Sequence, residues 1–555
     1  MTKANPTSSR SHGLSEILYR AAILTPVLIA ILLMLPRLLS PQFGLYDDGR
    51  MLVTADKIAH GTWYTGLDRI EGRFRPVYWL WFTLSYLMGG NNPLWFFVAN
   101  TVALVGIIAG LIFLVRGLGG SRLQACLAGL LFVLAGPVPE SFLTLKGEVI
   151  QLVWMLLSFS TLALCMRAKK RSQKIGGIAL TAFILLLAYL TKETALVLLP
   201  ISLAWYLLAR FWRGYESEPA RLTARGAYLL ANLIAAPLFF LMRTTALPSQ
   251  LAAGTYSGQY LIALGQMAVS AVRWAGWLAR DFIWVVPMTV MGIVLLVRRR
   301  KLSGRTILFD SSIWMGAWIC VYLPWNFMAE YYMLPFALGL AVFVSALIVE
   351  ITLFFRESGG KRWIAIGVLG LSLVLLAGEL MNDLTNIRMQ LAIDSTNARM
   401  MAFLVQNTEP GSTLLVNIQD PNEYYYEMQT QLGQVDNRPD LKLRTFNRDM
   451  TLANDTGPLY IVTPYVQNQP LLSVRMGVVQ FTQNNWDRLL QGYLRIHPGW
   501  QSVFETATSF PLSNVNYPRL FCPLIKTRAF CATPEPVVDV RPFNYGWTIY
   551  QLKEP

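Results

Sequence analysis

Charge is scarce in this 555-residue chain. Asp, Glu, Lys and Arg make up 14% of it, where a soluble chain of ordinary composition carries about 25%. Histidine is scarcer still: His12, His60 and His497 are the only three, too far apart in sequence to suggest a histidine-based metal site. Five cysteines are present. Cys126, Cys165 and Cys320 fall in apolar runs and read as inert core residues. Cys522 and Cys531 bracket a short loop near the C-terminus. An oxidising compartment would allow them to be bridged; two free thiols are the equal alternative. The net charge is +15, yet no basic–aromatic stripe marks a soluble segment. Nucleic acid is therefore not expected as a partner, and the basic residues are assigned to short loops that set topology.

What the chain has in abundance is apolar sequence: 54% of residues are hydrophobic and the mean hydropathy is +0.42. Apolar runs of roughly 20 residues, each long enough to cross a ~30 Å hydrocarbon core as a helix, recur from residue 21 to residue 380. Lys3, Arg10 and Arg20 precede the first run. No small-residue cleavage site follows it, so it reads as a retained span and not as a signal peptide. Five short loops rich in Lys and Arg, 116–122, 167–174, 210–225, 298–305 and 356–362, are placed in the cytoplasm by the positive-inside rule. The spans between them are 94–116, 122–138, 148–167, 175–191, 194–212, 226–244, 276–297, 306–326, 331–355 and 363–380. With 21–40 they make about eleven. The fold class expected is an all-α polytopic membrane domain, residues 21–380, after a cytoplasmic tail, residues 1–20. A small soluble α/β or α+β domain, residues 395–555, follows it outside a cell membrane.

This parity holds only if Pro76–Met88 (PVYWLWFTLSYLM) does not cross. The stretch is short and rich in Trp and Tyr, residues that favour the membrane interface, and it reads as a re-entrant or surface-lying helix. Before it, Asp48–His60 places Met51, Leu52, Ala55, Ile58 and Ala59 on one helical face, an amphipathic pattern suited to lying on a membrane. The first outer loop, 43–92, is thus long and structured.

Ionisable residues at the ends of apolar spans are candidates for function because their burial is costly. On the outer side these are Asp47, Asp48, Arg73, Arg75, Glu140, Lys146, Glu148, Lys192, Glu193, Arg243 and Glu330. Asp47 and Asp48, in YDDGR, follow the first span directly. Asp48 can serve as a helix N-cap. Asp47 is harder to explain that way, and a carboxylate at the membrane–water boundary can act as a general base on an acceptor hydroxyl. The pair can also hold a divalent cation through oxygen ligands; no other cofactor is called for. Arg73 and Arg75, in EGRFRPVYW, suit bidentate phosphate binding or snorkelling to lipid headgroups. Lys192 and Glu193, in LTKETALVLLP, either close a tight helical hairpin as an ion pair or present a lysine to a phosphate. Glu330, Tyr331 and Tyr332 precede MLP at an outer span end, where tyrosine is also a common belt residue.

Taken in order, these motifs resemble those of the GT-C class of membrane glycosyltransferases, most nearly the aminoarabinose transferases and the protein O-mannosyltransferases. The resemblance covers roughly residues 20–380. It rests on the acidic pair Asp47-Asp48 where the class has Asp-Glu, on Arg75-Pro76 opening an interfacial helix, on Lys192 to Pro200, and on Tyr331, Tyr332 and Pro335. It implies an inverting transfer of sugar from a polyprenyl-phosphate donor to a hydroxyl of a glycan, lipid or protein acceptor at the outer membrane face. Asp47 or Asp48 would be the catalytic carboxylate. Arg73, Arg75, Glu148, Lys192, Glu193, Tyr331 and Tyr332 would bind the lipid phosphate or the sugar.

The C-terminal region has no comparable match. GSTLLVNI (411–418) and GPLYIVTPY (457–465) read as strands and ARMMAFLVQN (398–407) as helix. Acceptor or glycan recognition and a lid that only stabilises the spans are both open to it. A transporter or flippase for a lipid-linked substrate is the competing function. Against it, the sequence has no internal repeat, and its charges sit at the outer boundary and not at mid-span, where transporter sites lie. The parity makes a direct prediction for single-cysteine labelling. A cysteine at Gln434 should react with an impermeant reagent from outside, and one at Ser303 only after permeabilisation. Reversed labelling would remove the outer-face assignment.

Overall fold

The structure is a computed structural model. It describes residues 7–45, 48–62, 68, 73–212, 215, 219–247, 260, 262–298, 305–325, 329–357, 362–417, 423–447, 457–468, 485–517, 519 and 537–553. Fifteen helices run in order: α1 (Thr7–Leu39), α2 (Asp48–Ala59), α3 (Pro76–Gly89), α4 (Pro93–Gly117), α5 (Arg122–Val133), α6 (Pro137–Phe142), α7 (Gly147–Met166), α8 (Arg171–Thr191), α9 (Leu198–Phe211), α10 (Pro219–Ala246), α11 (Leu264–Asp281), α12 (Val286–Arg298), α13 (Arg305–Tyr322), α14 (Leu334–Glu357) and α15 (Arg362–Asn407). Eight helical segments among the described residues are long and apolar enough to cross a membrane, and the chain is a multi-pass membrane protein. Adding the bent pair α11–α12 and the two shorter apolar helices brings the apolar segments to eleven, the number expected.

Two of those segments differ from the sequence reading. The stretch 276–297 is not one straight span: α11 and the helix after it are bent by 75° around Phe282. Pro287 lies in the first turn of α12, where its missing N–H costs nothing, but it cannot continue a helix arriving from α11. The stretch 122–138 is also broken. α5 ends at Val133 ahead of Gly136, Pro137 and Pro139, and its 12 residues reach only ~18 Å at 1.5 Å per residue. Of the three cysteines read as core residues, Cys126 is buried, Cys165 half-buried and Cys320 exposed.

α3 is a 14-residue helix, about 21 Å long, too short to cross. It turns Leu80, Leu84, Leu87 and Met88 outward. The amphipathic α2 is covered by protein where the pattern suggested a membrane surface. Met51, Leu52 and Ala55 join Tyr78, Trp79, Phe82, Phe96 and Phe97 in one buried cluster. Val53 and Thr54, off that face, are buried as well, because C-terminal residues close over the other side of the helix.

The C-terminal region holds β1 (Thr413–Val416), α16 (Glu423–Thr430), β2 (Lys442–Thr445), β3 (Leu459–Gln467), α17 (Asn485–Ile496), β4 (Trp500–Pro511), β5 (Asn514–Val515), β6 (Val538–Asp539) and β7 (Pro542–Leu552). Among the described residues, five strands form a mixed sheet in the order β2-β1-β3-β7-β4. β1 pairs in parallel with β2 and β3, while β7 is antiparallel to β3 and β4. Both stretches read as strands are strands, and the helix read at 398–407 is the end of the 46-residue α15. That helix leaves the bundle and continues into the second core, where Met389, Ile393, Met400 and Leu404 pack with Leu414, Val462, Tyr545 and Trp547.

One buried ion pair ties the first span to α15. Arg37 and Asp394 are each 1% exposed and joined by a short hydrogen bond. Arg37 also donates to the carbonyls of Leu143 and Gln42. Removing one member of a buried pair leaves the other charge uncompensated, at about 3–5 kcal/mol. Arg37→Ala should therefore lower the unfolding midpoint of the purified protein sharply. Arg37→Met combined with Asp394→Leu should cost less than the two single changes together.

Candidate functional site

At the end of the bundle bearing the α1–α4 loop, a cavity of about 580 Å³ opens between the spans. All seven residues assigned from sequence to phosphate or sugar binding, Arg73, Arg75, Glu148, Lys192, Glu193, Tyr331 and Tyr332, line it. Lys146 and Arg243 line it too. The nine come from five separate places in the chain, Arg243 from α10. Arg73 and Arg75 precede α3, where Pro76 takes the first helical position and needs no N–H partner. Lys146 and Glu148 sit at the start of α7. Lys192 is an extended residue (φ −157°, ψ 126°) between α8 and the turn that starts α9. Tyr331 and Tyr332 form the turn before α14.

The charges are held in pairs. Arg75 donates through Nε to Asp68 Oδ2 at 3.2 Å and through Nη2 to the other oxygen. Trp79 Nε1 also donates to Asp68, at 2.6 Å. The Arg75 guanidinium lies 4.6 Å from the centre of the Tyr78 ring, within cation–π range. Lys192 Nζ is hydrogen-bonded to Glu148 and 4.6 Å from the centre of the Tyr332 ring. Lys146 Nζ is 5.1 Å from that of Tyr331. Glu193 accepts from the backbone N–H of Phe74 at 3.2 Å and faces Arg243 at the same distance. The link to Phe74 fixes the Arg73–Arg75 segment against the Lys192 turn. Lys192 and Glu193 do not pair with each other; each answers a different element. The result is a ring of cations with aromatic faces behind them, positioned before any ligand arrives.

Glu330 belongs elsewhere. It pairs with Arg280 at 2.7 Å, and Arg280 is bonded to Asp281 as well. This buried group braces the bend after α11, and α6, which carries Glu140, packs against it. Asp47 lies outside the described residues, as do Cys522 and Cys531. Asp48 is 3% exposed. Its Oδ2 accepts from Gly44 N–H at 2.7 Å, and its Oδ1 has no hydrogen-bond partner among the described residues. Asp48 is thus the first residue of α2 but makes no capping bond to it; the N-cap reading fails because the carboxylate turns back toward Gly44. It does not line the cavity, though the Lys146 charge is close enough to act on it. Among the described residues no three His, Cys, Asp or Glu side chains are grouped to hold a metal. Sequence reasoning missed Asp68, whose partner Arg75 is seven positions away, and Glu427, which bonds the start of α2. Only packing reveals either.

Burial pushes the Asp48 carboxyl up to about 7, against the Gly44 hydrogen bond and the Lys146 and Arg37 charges. An aspartate in the unfolded chain titrates near 3.8. Between about pH 4 and pH 7 the folded protein therefore holds a proton that the unfolded chain has lost, and this contribution to stability falls as pH rises. Asp48→Asn cannot titrate there. Its melting temperature should drop less than that of the unsubstituted protein between about pH 5 and pH 7. Parallel curves for the two proteins would refute the raised value.

No protein-family model matches the chain. Over 169 residues it is 32% identical to the protein O-mannosyl-transferase Tmtc1 of Drosophila melanogaster, a match covering 28% of this chain and 19% of that protein. The match thus spans about a fifth of the curated relative's length. Among solved structures, ArnT from Cupriavidus metallidurans bound to undecaprenyl phosphate aligns at a TM-score of 0.48 and 12% identity, over 96% of this chain and 97% of that one. The archaeal oligosaccharyltransferase AglB from Archaeoglobus fulgidus, in complex with an inhibitory peptide and a dolichol-phosphate, aligns at 0.49 and 10% identity, over 96% and 88%. By sequence, part of this chain is similar to a protein O-mannosyltransferase, one of the two groups of GT-C membrane glycosyltransferases that its motifs resemble.

Proposed function

We propose that this chain is an inverting glycosyltransferase that takes a sugar from a polyprenyl-phosphate donor and places it on an acceptor hydroxyl at the outer membrane face. The observation that carries the reading is the shared cavity: Arg73, Arg75, Lys146, Lys192 and Arg243, gathered from separate elements, surround one space at a span boundary. Such a space suits a lipid phosphate, whose tail lies between spans while its head meets fixed cations. The undecaprenyl phosphate and the dolichol-phosphate named for the ArnT and AglB structures are of this chemical kind.

In the mechanism proposed, the acceptor oxygen attacks the anomeric carbon as the bond from that carbon to the phosphate oxygen breaks. Asp47 takes the acceptor's proton, and the lipid phosphate leaves with the electron pair. Lys192 and Arg75 meet the charge that grows on the phosphate. Because Glu148 and Asp68 hold them in place, little reorganisation is needed as it forms. Tyr331 and Tyr332 wall the sugar side.

A transfer assay with purified protein and a lipid-phosphate-linked sugar, run beside a donor-binding measurement, tests this. Asp47→Asn should lose about 10²-fold or more in turnover, the usual range for a general base, with donor binding retained. Lys192→Ala should weaken both. If Asp47→Asn and Asp48→Asn both keep normal turnover, the general-base mechanism is wrong; if the unsubstituted protein transfers no sugar, transport of a lipid-linked substrate becomes the better reading.

A further inference from the structure

The first turn of α2 has N–H groups with no partner inside the helix, and this helix begins at the acidic pair. A residue almost four hundred positions away meets them. Glu427, on α16 and fully buried, accepts through Oε1 from the N–H groups of both Gly49 and Arg50, the second at 3.2 Å. One helical turn further, Gln431 Nε2 donates to the carbonyl of Gly44 at 3.0 Å. The two contacts bracket positions 45–48 in the chain. Gly49 makes the approach possible: a Cβ there would lie 2.5 Å from Glu427 Oε1 and 2.7 Å from Gln431 Cγ. Gly44 is held from its other side as well, since its N–H donates to Asp48.

We infer that Glu427 and Gln431 are positioning residues of the C-terminal region, fixing the two ends of the acidic segment 44–50. The inference rests on the transferase reading above, in which Asp47 is the base. On this inference the C-terminal region does more than cover the spans: it supplies part of the catalytic geometry. A carboxylate at the start of α2 also favours the helix dipole, and both N–H groups use the same oxygen of Glu427. One neutral oxygen can therefore do most of the same work, and Glu427→Gln should serve where Glu427→Ala does not.

The experiment uses the full-length protein in detergent or nanodiscs, with two readouts. Amide hydrogen exchange across residues 44–50 reports positioning without reference to activity. Steady-state transfer from a polyprenyl-phosphate sugar reports its consequence. Glu427→Ala should speed exchange in 44–50 while leaving α4 and α7 unchanged. It should also lower kcat by about 10²-fold, the scale of a misplaced catalytic group, with the donor KM within about twofold of the unsubstituted value. Glu427→Gln should restore most of kcat. Unchanged exchange at 44–50, or a KM that rises as kcat falls, would overturn the assignment. Should Glu427→Ala fail to fold, Gln431→Leu carries the same two readouts, with the same outcomes decisive. If exchange rises in 44–50 while the unsubstituted protein transfers no sugar, the positioning stands and it is the transferase reading that fails.

Discussion

The ion pair of Arg37 and Asp394 is the contact on which the arrangement of this molecule depends. It joins the end of the first span to a helix more than 350 residues later. Arg37 also holds the carbonyls of Gln42 and Leu143. Those carbonyls belong to the segment that leads to the acidic pair and to the one that leads to Lys146 and Glu148. Gln390 gives Asp394 a further hydrogen bond, as a buried carboxylate requires if its desolvation is to be offset. Through this one contact the site, the first span and the C-terminal region share a frame.

The cavity follows the same logic at smaller scale. A cation at the membrane boundary is costly to bury alone, so each of the two central to the mechanism has a carboxylate: Asp68 for Arg75 and Glu148 for Lys192. The partners lower the cost of gathering positive charge, and the aromatic faces of Tyr78, Tyr331 and Tyr332 add stabilisation that leaves hydrogen-bonding directions open. Glu193 does not take the partner next to it in sequence. It bonds the backbone of Phe74 and so couples the two cation-bearing segments.

Much of this was legible before the structure. The apolar runs, their count and the short α3 follow from run length and composition, because a lipid core admits only helices of a given length. Arg73, Arg75, Lys192, Tyr331 and Tyr332 stood out because charged and aromatic residues at span ends are conspicuous in so apolar a chain. The bend at Phe282 was less visible. A proline in the first turn of a helix and a proline inside a span look alike in sequence, and packing around Arg280, Asp281 and Glu330 separates them.

The sequence by itself determined that this is a multi-pass membrane protein followed by a region of mixed helix and strand, and which residues are too polar for their surroundings to be incidental. Those conclusions depend on hydrophobic period and run length, which are local. The tertiary structure decided which of those residues share one cavity, that Asp48 turns away from its helix, and that Glu427 takes up the N–H groups it leaves unmet. It also decided that α2 lies under protein, its second face closed by a segment from the far end of the chain. Apart from the turn of Asp48 toward Gly44, these depend on contacts between residues distant in the chain. Their energy lies in burial and pairing, and no local pattern encodes either partner of such a pair.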